Sequence, residues 1–349
     1  MVPRMSIVST MDKSKSLQSS IFRIVVSVVA TFGLAACSSS SLSSSSLSDS
    51  SVSDTTAAPA VENSDSLPTD ASASLAEAIL VVTTTTQLTD FVSEIGGADV
   101  RVVGLLKSNV DPHDFEASPS DLDNLGKAAV IVKNGVGLEK WFDSTIKSAE
   151  PKGEIVDASV GVKLRGGDAE EPEGDPHIWH NPRNAKIMVG NIAAALSTAD
   201  PAHADVFKKN LADYSAKLDA LDAEIATKID GLANKKLVTN HDAFGYYVDR
   251  YRLEFVGSII PSFDTSAELS AIDIQDLVAK IKAEGVKAIF SESSLPPKTA
   301  DAIGKEAGVK VVEGEDALYG DTLGAPGSPG GTYLEMMRHN TDTIVANLS

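Results

Sequence analysis

From residue 79 to the last helix of the chain, short apolar runs alternate with amphipathic stretches, and the alternation breaks once, over residues 183–230. Ile79-Leu80-Val81-Val82 reads as a strand, and about Gln87–Ile95 as the helix after it, closed by Gly96-Gly97. Arg101–Leu106, Ala129–Lys133 and Glu154–Asp157 read as further strands, with helices over Asp121–Lys127 and Leu138–Ser148. Past the break come strands over Lys236–Thr239, Leu253–Ile260, Ala288–Phe290 and Lys310–Val312. The intervening helices are Ala243–Tyr251, Ala271–Glu284 and Lys298–Ala307, and Thr332–Leu348 ends the chain. Strands alternating with helices make parallel sheets covered by helices. Inside the break, Phe207, Leu211, Tyr214, Leu218, Leu221, Ile225 and Ile229 recur at spacings of three and four. Asp200-Pro201 opens that helix and Gly231 closes it. At 1.5 Å per residue it would be about 43 Å long. The expected fold is α/β, with two similar lobes, each a mostly parallel sheet flanked by helices. The N-terminal lobe spans 78–182, the linking helices 183–231 and the C-terminal lobe 232–349.

The first residues follow different rules. Arg4, Lys13, Lys15 and Arg23 precede an apolar run from Ile24 to Ala36, too short for a bilayer-spanning helix. A basic start, a short apolar stretch and small residues at its end describe an export signal over residues 1–36. Leu34-Ala35-Ala36-Cys37 resembles a bacterial lipobox, which makes Cys37 the expected lipidated first residue of the mature chain. The protein would then sit on the outer face of the cytoplasmic membrane. Residues 37–77, rich in serine, bury too little apolar surface to order themselves and read as a disordered tether. Cys37 is the only cysteine, so an exported chain of this kind has no internal disulfide. With 30 basic against 49 acidic residues the net charge is −19, and loss of residues 1–36 makes it more negative. That sign disfavours nucleic acid as a partner.

The chemistry concentrates in the histidines, of which there are six. Asp111-Pro112-His113 and Asp175-Pro176-His177 share a local sequence, and both lie in loops after strands. The proline stiffens the backbone before a residue held at a fixed angle. His241 follows the strand Lys236–Thr239, at the strand-to-helix turn where α/β sheets bind ligands. Each histidine alone is more often a turn residue than a ligand. Two lobes that face each other would bring all three into one cleft, where imidazole nitrogens with a carboxylate suit a tetrahedral zinc centre. His203 and His339 read as solvated residues on polar helix faces.

At these residues the chain resembles the zinc and manganese solute-binding proteins of ABC importers, over about Ile79 to Leu348. The resemblance is carried by Val110–Pro119, Asn134–Glu139, Asp175–Trp179, His241–Tyr246, Ser291–Ser294 and Tyr319–Gly324. It implies His113, His177, His241 and Asp321 as metal ligands, the first two from the N-terminal lobe and the last two from the C-terminal lobe. Manganese-type members usually carry a carboxylate at the third position, so His241 points to Zn²⁺ ahead of Mn²⁺. Glu292 is the alternate carboxylate. His180 is an extra nitrogen near the site, and Trp179, Phe244, Phe115 and Tyr246 are candidates for an apolar shell around it. Where many zinc receptors have a histidine-rich loop, residues 166–175 are short, acidic and without histidine, and read either as a solvated loop or as a weak collector that passes Zn²⁺ inward.

The implied function is extracytoplasmic capture of Zn²⁺ by a monomer and its delivery to the permease of an ABC importer. An Mn²⁺ receptor of the same family, an exported zinc hydrolase and an adhesin are the alternatives. A catalytic zinc keeps an open position for water, which four protein ligands would fill, and the chain has no His-Glu-x-x-His. Release of the ion is expected to depend on small shifts of the Asp321 loop, glycine- and proline-rich from Gly320 to Gly331, and of nearby loops.

Overall fold

A computed structural model describes residues 78–166 and 172–349. The expected signal peptide, Cys37, the tether and Gly167–Glu171 of the acidic loop lie outside these residues. Among the described residues, no helix is long and apolar enough to cross a membrane.

The first sheet consists of β1 (Ile79–Thr83), β2 (Val100–Gly104), β3 (Val130–Lys133) and β4 (Glu154–Asp157). Its strands are all parallel and lie in the order β2-β1-β3-β4. Helices α1 (Thr86–Gly96), α2 (Pro119–Lys127) and α3 (Phe142–Ala149) connect them. Next come α4 (Pro182–Ala199) and α5 (Ala204–Asp230). The second sheet has β5 (Lys236–His241), β6 (Glu254–Ile260), β7 (Ala288–Phe290) and β8 (Lys310–Val312), again parallel, in the order β6-β5-β7-β8. Its helices are α6 (Gly245–Tyr251), α7 (Ala271–Glu284), α8 (Lys298–Ala307) and α9 (Tyr333–Leu348). The two sheets therefore repeat one topology. In each, the chain leaves the first strand toward one edge and returns to its other side, which opens a crevice at the strands' carboxyl ends.

The strand period of two sorts residues between layers. Leu80, Val82 and Ile131 face an outer core under α2 and α3, while Val81, Val130 and Val132 face inward. In the second sheet Val238 and Ile289 face α7 and α8, and Leu237, Ala288 and Phe290 face inward. The inward faces of both sheets share one continuous core with α1, α4, α5, α6 and α9. Helix α5 contributes Phe207, Tyr214, Leu218, Leu221, Ile225 and Ile229, all buried, and lies against α4, α1, α9 and α6. Its 27 residues span about 40 Å.

Local details differ from the pattern-based expectation for identifiable reasons. Helix α2 starts at Pro119 because Ser118 and Asp121 form a reciprocal capping box. Helix α3 starts at Phe142 rather than Leu138. Glu139 turns inward, where its carboxylate accepts the N–H groups of Asn134 and Gly135 and the Thr84 hydroxyl, so residues 138–141 form a turn. Asp200-Pro201 opens a single 3₁₀ turn, Pro201–His203, before α5 begins at Ala204. Gly231 caps α5 in a right-handed conformation, at φ −72°, instead of the left-handed one its position predicts. Strand β5 runs two residues beyond Thr239, and His241 is its last residue, paired with Ile260.

Candidate metal centre

Three histidines reach one point from three different supports. In both Asp-Pro-His segments the aspartate accepts the histidine's own backbone N–H, from His113 to Asp111 Oδ1 at 2.9 Å and from His177 to Asp175 Oδ1 at 3.0 Å. This local turn is why the tripeptide recurs: a short acidic side chain bonding two residues ahead fixes the loop. Asp175 does more, because its Oδ1 also lies 2.8 Å from His177 Nδ1. His241 is held by β5, and Glu292, just past β7, plays the part of Asp175. Glu292 lies 2.9 Å from His241 Nδ1 and accepts the His241 N–H at 3.0 Å.

An ionised carboxylate can only accept. Facing such acceptors, Nδ1 of His177 and of His241 donates, which turns Nε2 of each ring toward the cluster. These two nitrogens face each other at 3.3 Å. Asp321 completes the group, with Oδ2 3.3 Å from His241 Nε2 and 3.7 Å from His113 Nε2, and Oδ1 3.4 Å from His177 Nε2. The four ligand atoms all lie within 4.8 Å of one another. A tetrahedral ion with bonds of 2.0–2.1 Å has ligand-to-ligand edges of roughly 3.3 Å, close to the shorter of these separations.

The cluster is dry and unsatisfied. His177, His241 and Asp321 are fully buried, and the His113 side chain is 2 % exposed. Among the described residues, His113 Nε2 and both Asp321 oxygens find no hydrogen-bond partner. Converging buried polar atoms without partners are costly in a protein interior, and a cation would satisfy them together. Burial lowers the His113 pKa, against the pull of Asp321. Burial works on Asp321 in the opposite sense, but the charge of His241, with His177 and His113, holds its carboxyl well below the usual range. Burial would also lower His241, yet Asp321 and Glu292 outweigh it and raise that imidazole well above its ordinary value.

Asp321 belongs to the second lobe by sequence but is tied to the first by hydrogen bonds. Its carbonyl accepts from Gln87 Nε2 at 2.9 Å, and the Leu323 N–H donates to Thr86 Oγ1 at 2.8 Å, both at the start of α1. Asn109 N–H donates to Thr322 Oγ1, Ser108 Oγ to the Gly324 carbonyl, and Trp179 Nε1 to the Gly320 carbonyl.

The other expected residues fall into place around this group. Glu292 lies on the Nδ1 side of His241, and the four-residue group contains Asp321 in its stead. His180 closes the short 3₁₀ turn that follows His177. It is fully buried against Phe244, with ring centroids 4.4 Å apart, and neither nitrogen has a partner. Trp179 lies edge-on to His177 at 5.4 Å, and Phe263, absent from the sequence reading, at 6.4 Å. Phe115 packs instead on Trp141. The Tyr246 hydroxyl donates to the Asp175 carbonyl. His203 and His339 are half-buried and bonded, His203 to Asp200 and His339 to the Ala317 carbonyl, so neither is merely solvated. The supporting carboxylate Asp175 was visible as part of a motif. Its role was not, since nothing in the sequence states that its second oxygen faces Arg165.

Comparison with known proteins places the chain in a family. The family model for ZnuA, zinc-uptake complex component A, periplasmic, matches residues 81–347. The zinc-binding protein TroA of Treponema pallidum is 35% identical over 275 residues, 77% of this chain and 89% of TroA. The solved structure of TroA has a TM-score of 0.73 at 33% identity and covers 78% of this chain and 99% of its own. The manganese-binding lipoprotein MntA of Bacillus subtilis is 36% identical over 298 residues, 80% of this chain and 93% of MntA. The iron ABC transporter substrate-binding lipoprotein MtsA of Streptococcus pyogenes serotype M1 is 31% identical over 279 residues, 77% and 88% of the two chains. These names carry three different metals, so the shared property is metal binding and not one ion. Because the family match spans both sheets, the helices between them and the whole histidine–aspartate group, this chain belongs to the metal-binding solute-binding proteins of ABC importers, which are receptors and not enzymes.

Proposed function

We propose that this receptor captures Zn²⁺ outside the cytoplasm, through His113, His177, His241 and Asp321, and delivers it as a monomer to the permease of an ABC importer. In this reading a lipid on Cys37 anchors it to the membrane, with residues 37–77 as the tether. The observation that carries the choice of ion is the donor set: three imidazole nitrogens and one carboxylate within 4.8 Å of one another, two of the nitrogens oriented by carboxylates behind them. Nitrogen-rich, four-coordinate sites favour zinc, and harder ions favour oxygen ligands. One observation supports Mn²⁺ as the second reading. Both Asp321 oxygens lie within 3.4 Å of a cluster nitrogen, which leaves room for a bidentate carboxylate and a higher coordination number.

Metal analysis of the purified mature chain tests the assignment, beside His241→Ala, Asp321→Ala and His241→Asp. One equivalent of zinc is expected, lost or weakened in both alanine variants. His241→Asp should move the preference from zinc toward manganese. Manganese in the native protein, or alanine variants that hold zinc as the native chain does, would overturn the reading.

A further inference from the structure

Arg165 lies in the loop after β4, outside every motif that marks the site. Its Nη1 donates to Asp175 Oδ2 at 2.7 Å, and its Nε donates to Asp249 Oδ2 at 2.8 Å. The two carboxylates come from different lobes. Asp175 is fully buried beside the cluster, and its other oxygen holds His177 Nδ1. Asp249 is on α6 of the second lobe and is 63 % exposed. One guanidinium thus connects the surface of the second lobe, through a single carboxylate, to a ligand nitrogen of the first.

The surroundings are shaped for this connection. The Tyr246 hydroxyl accepts the Arg165 backbone N–H and donates to the Asp175 carbonyl, both at 3.0 Å. The Tyr246 ring lies 5.7 Å from the guanidinium carbon. At Gly245, the first residue of α6, a Cβ would stand 1.6 Å from Arg165 Nη1 and 2.7 Å from Asp175 Oδ2. The backbone of α6 comes this close only because that residue is glycine. Among the described residues, Arg165 and His177 are the groups that pair with the Asp175 side chain. Without the guanidinium, a buried carboxylate would face His177 alone. A carboxylate behind a ligating imidazole orients the ring and raises its basicity, and loss of such a partner commonly lowers metal affinity about 10–100-fold.

We propose that Arg165 is a positioning residue for metal capture: it sets His177 through Asp175 while the second lobe holds it through Asp249 and Tyr246, which makes tight binding depend on contact between the lobes at α6. This rests on the reading of the histidine–aspartate group as the metal site. A force that draws α6 away would free Arg165, loosen Asp175 and His177, and speed release of the ion. Asp249 is exposed enough for a docking surface to reach it.

The test is the rate of Zn²⁺ release to a chromophoric chelator from the mature chain and from Arg165→Ala, Arg165→Lys and Asp249→Asn. The thermal midpoint of each metal-free protein is measured alongside. Arg165→Ala should release zinc about 10–100-fold faster. Arg165→Lys should recover part of the loss, because an ammonium holds one carboxylate well and two poorly. Asp249→Asn should release zinc several-fold faster although it touches neither Asp175 nor a ligand, with its metal-free midpoint unchanged. Native release rates in Asp249→Asn overturn the proposal, as does a lysine variant no slower than alanine whose metal-free midpoint has fallen with it. Should Arg165→Ala fail to fold, Asp249→Asn decides. A native chain that takes up no zinc overturns the metal-site reading and this proposal with it. A native chain that holds one zinc, with all variants at its rate, overturns the proposal alone.

Discussion

At the scale of single residues the site is a set of acceptors made ready for a cation by what lies behind them. Asp175 and Glu292 are as much a part of it as the histidines, since they fix which nitrogen of His177 and His241 carries the proton. Asp175→Asn and Glu292→Gln keep the shape but remove the charge, and an amide also brings a donor. Each should weaken zinc binding about 10–100-fold, as calorimetric titration would measure. Native affinity in both variants would remove these carboxylates from the account. The three histidines were legible because each lies at a loop or strand end with turn chemistry around it. The two carboxylate roles were not legible from the residues, because the partner of the His241 ring is 51 positions away in the chain. His180, the extra nitrogen one turn from His177, is set apart by its surroundings: burial, reinforced by the charge of His177, depresses its pKa to about 3. The folded protein keeps this ring neutral, whereas the unfolded chain protonates it near 6.5. Its contribution to stability is therefore complete above 6.5 and is lost at about 1.4 kcal/mol per pH unit as pH falls from there toward 3. His180→Phe keeps an aromatic ring against Phe244 and abolishes this proton uptake. The stability lost between pH 7 and pH 5, measured by chemical denaturation, should shrink by about 2 kcal/mol in the variant. An unchanged loss would mean that His180 titrates as an exposed histidine does.

At the scale of elements, the alternation of strands and helices was readable because both faces of each sheet are buried and helices cover them. The boundaries that moved did so where a side chain took over the backbone's hydrogen bonding. Glu139 delays α3 by accepting the N–H groups of the preceding turn, and the Ser118–Asp121 box pulls α2 forward to Pro119. Periodicity carries no record of either event. It also placed His241 after β5 instead of within it, because the polar Asn240 and His241 look like a turn. Both are buried, and Glu292 satisfies the His241 backbone and ring together. Helix α6 shows how an element boundary can be functional. Its first residue, Gly245, is under the Arg165 guanidinium, so Gly245→Ala should push Arg165 off Asp175 without entering the metal group. Zinc release from that variant should be accelerated to the extent seen in Arg165→Ala, while circular dichroism keeps its helical signal. Release at the native rate would mean that the guanidinium can shift and still hold Asp175.

At the scale of the molecule, the question is which of the proposed ligands would travel together if the lobes moved. Sequence order divides them two and two, with His241 and Asp321 in the second lobe, and points to the 320–331 loop as the part that shifts. Hydrogen bonding divides them otherwise. The 320–324 segment is buried and bonded to Thr86, Gln87, Ser108, Asn109 and Trp179, all of the first lobe or the entry to α4. Asp321 is thus fastened to the body that carries His113 and His177, and His241 sits on β5 with Glu292 behind it. Displacement of the second sheet would then remove one ligand from three, and a three-coordinate ion is left open to capture by water or by the next carrier. The sequence could not reveal this partition, because it depends on side chains of α1 that meet the segment across more than two hundred positions. The partition makes two expectations for hydrogen exchange and release. In the metal-free native protein the amides of Asp321–Leu323 should stay protected, since the N–H of Leu323 and the carbonyl of Asp321 keep their partners on α1 without the ion. Gln87→Ala removes the donor to the Asp321 carbonyl, and a buried acceptor left bare costs about 1–3 kcal/mol. Protection of this segment should fall in that variant, and zinc should leave faster by roughly 5–150-fold, the same energy expressed as a ratio. Rapid exchange of Asp321–Leu323 in the metal-free native protein would restore the loop as the moving part and return the ligands to a division of two and two.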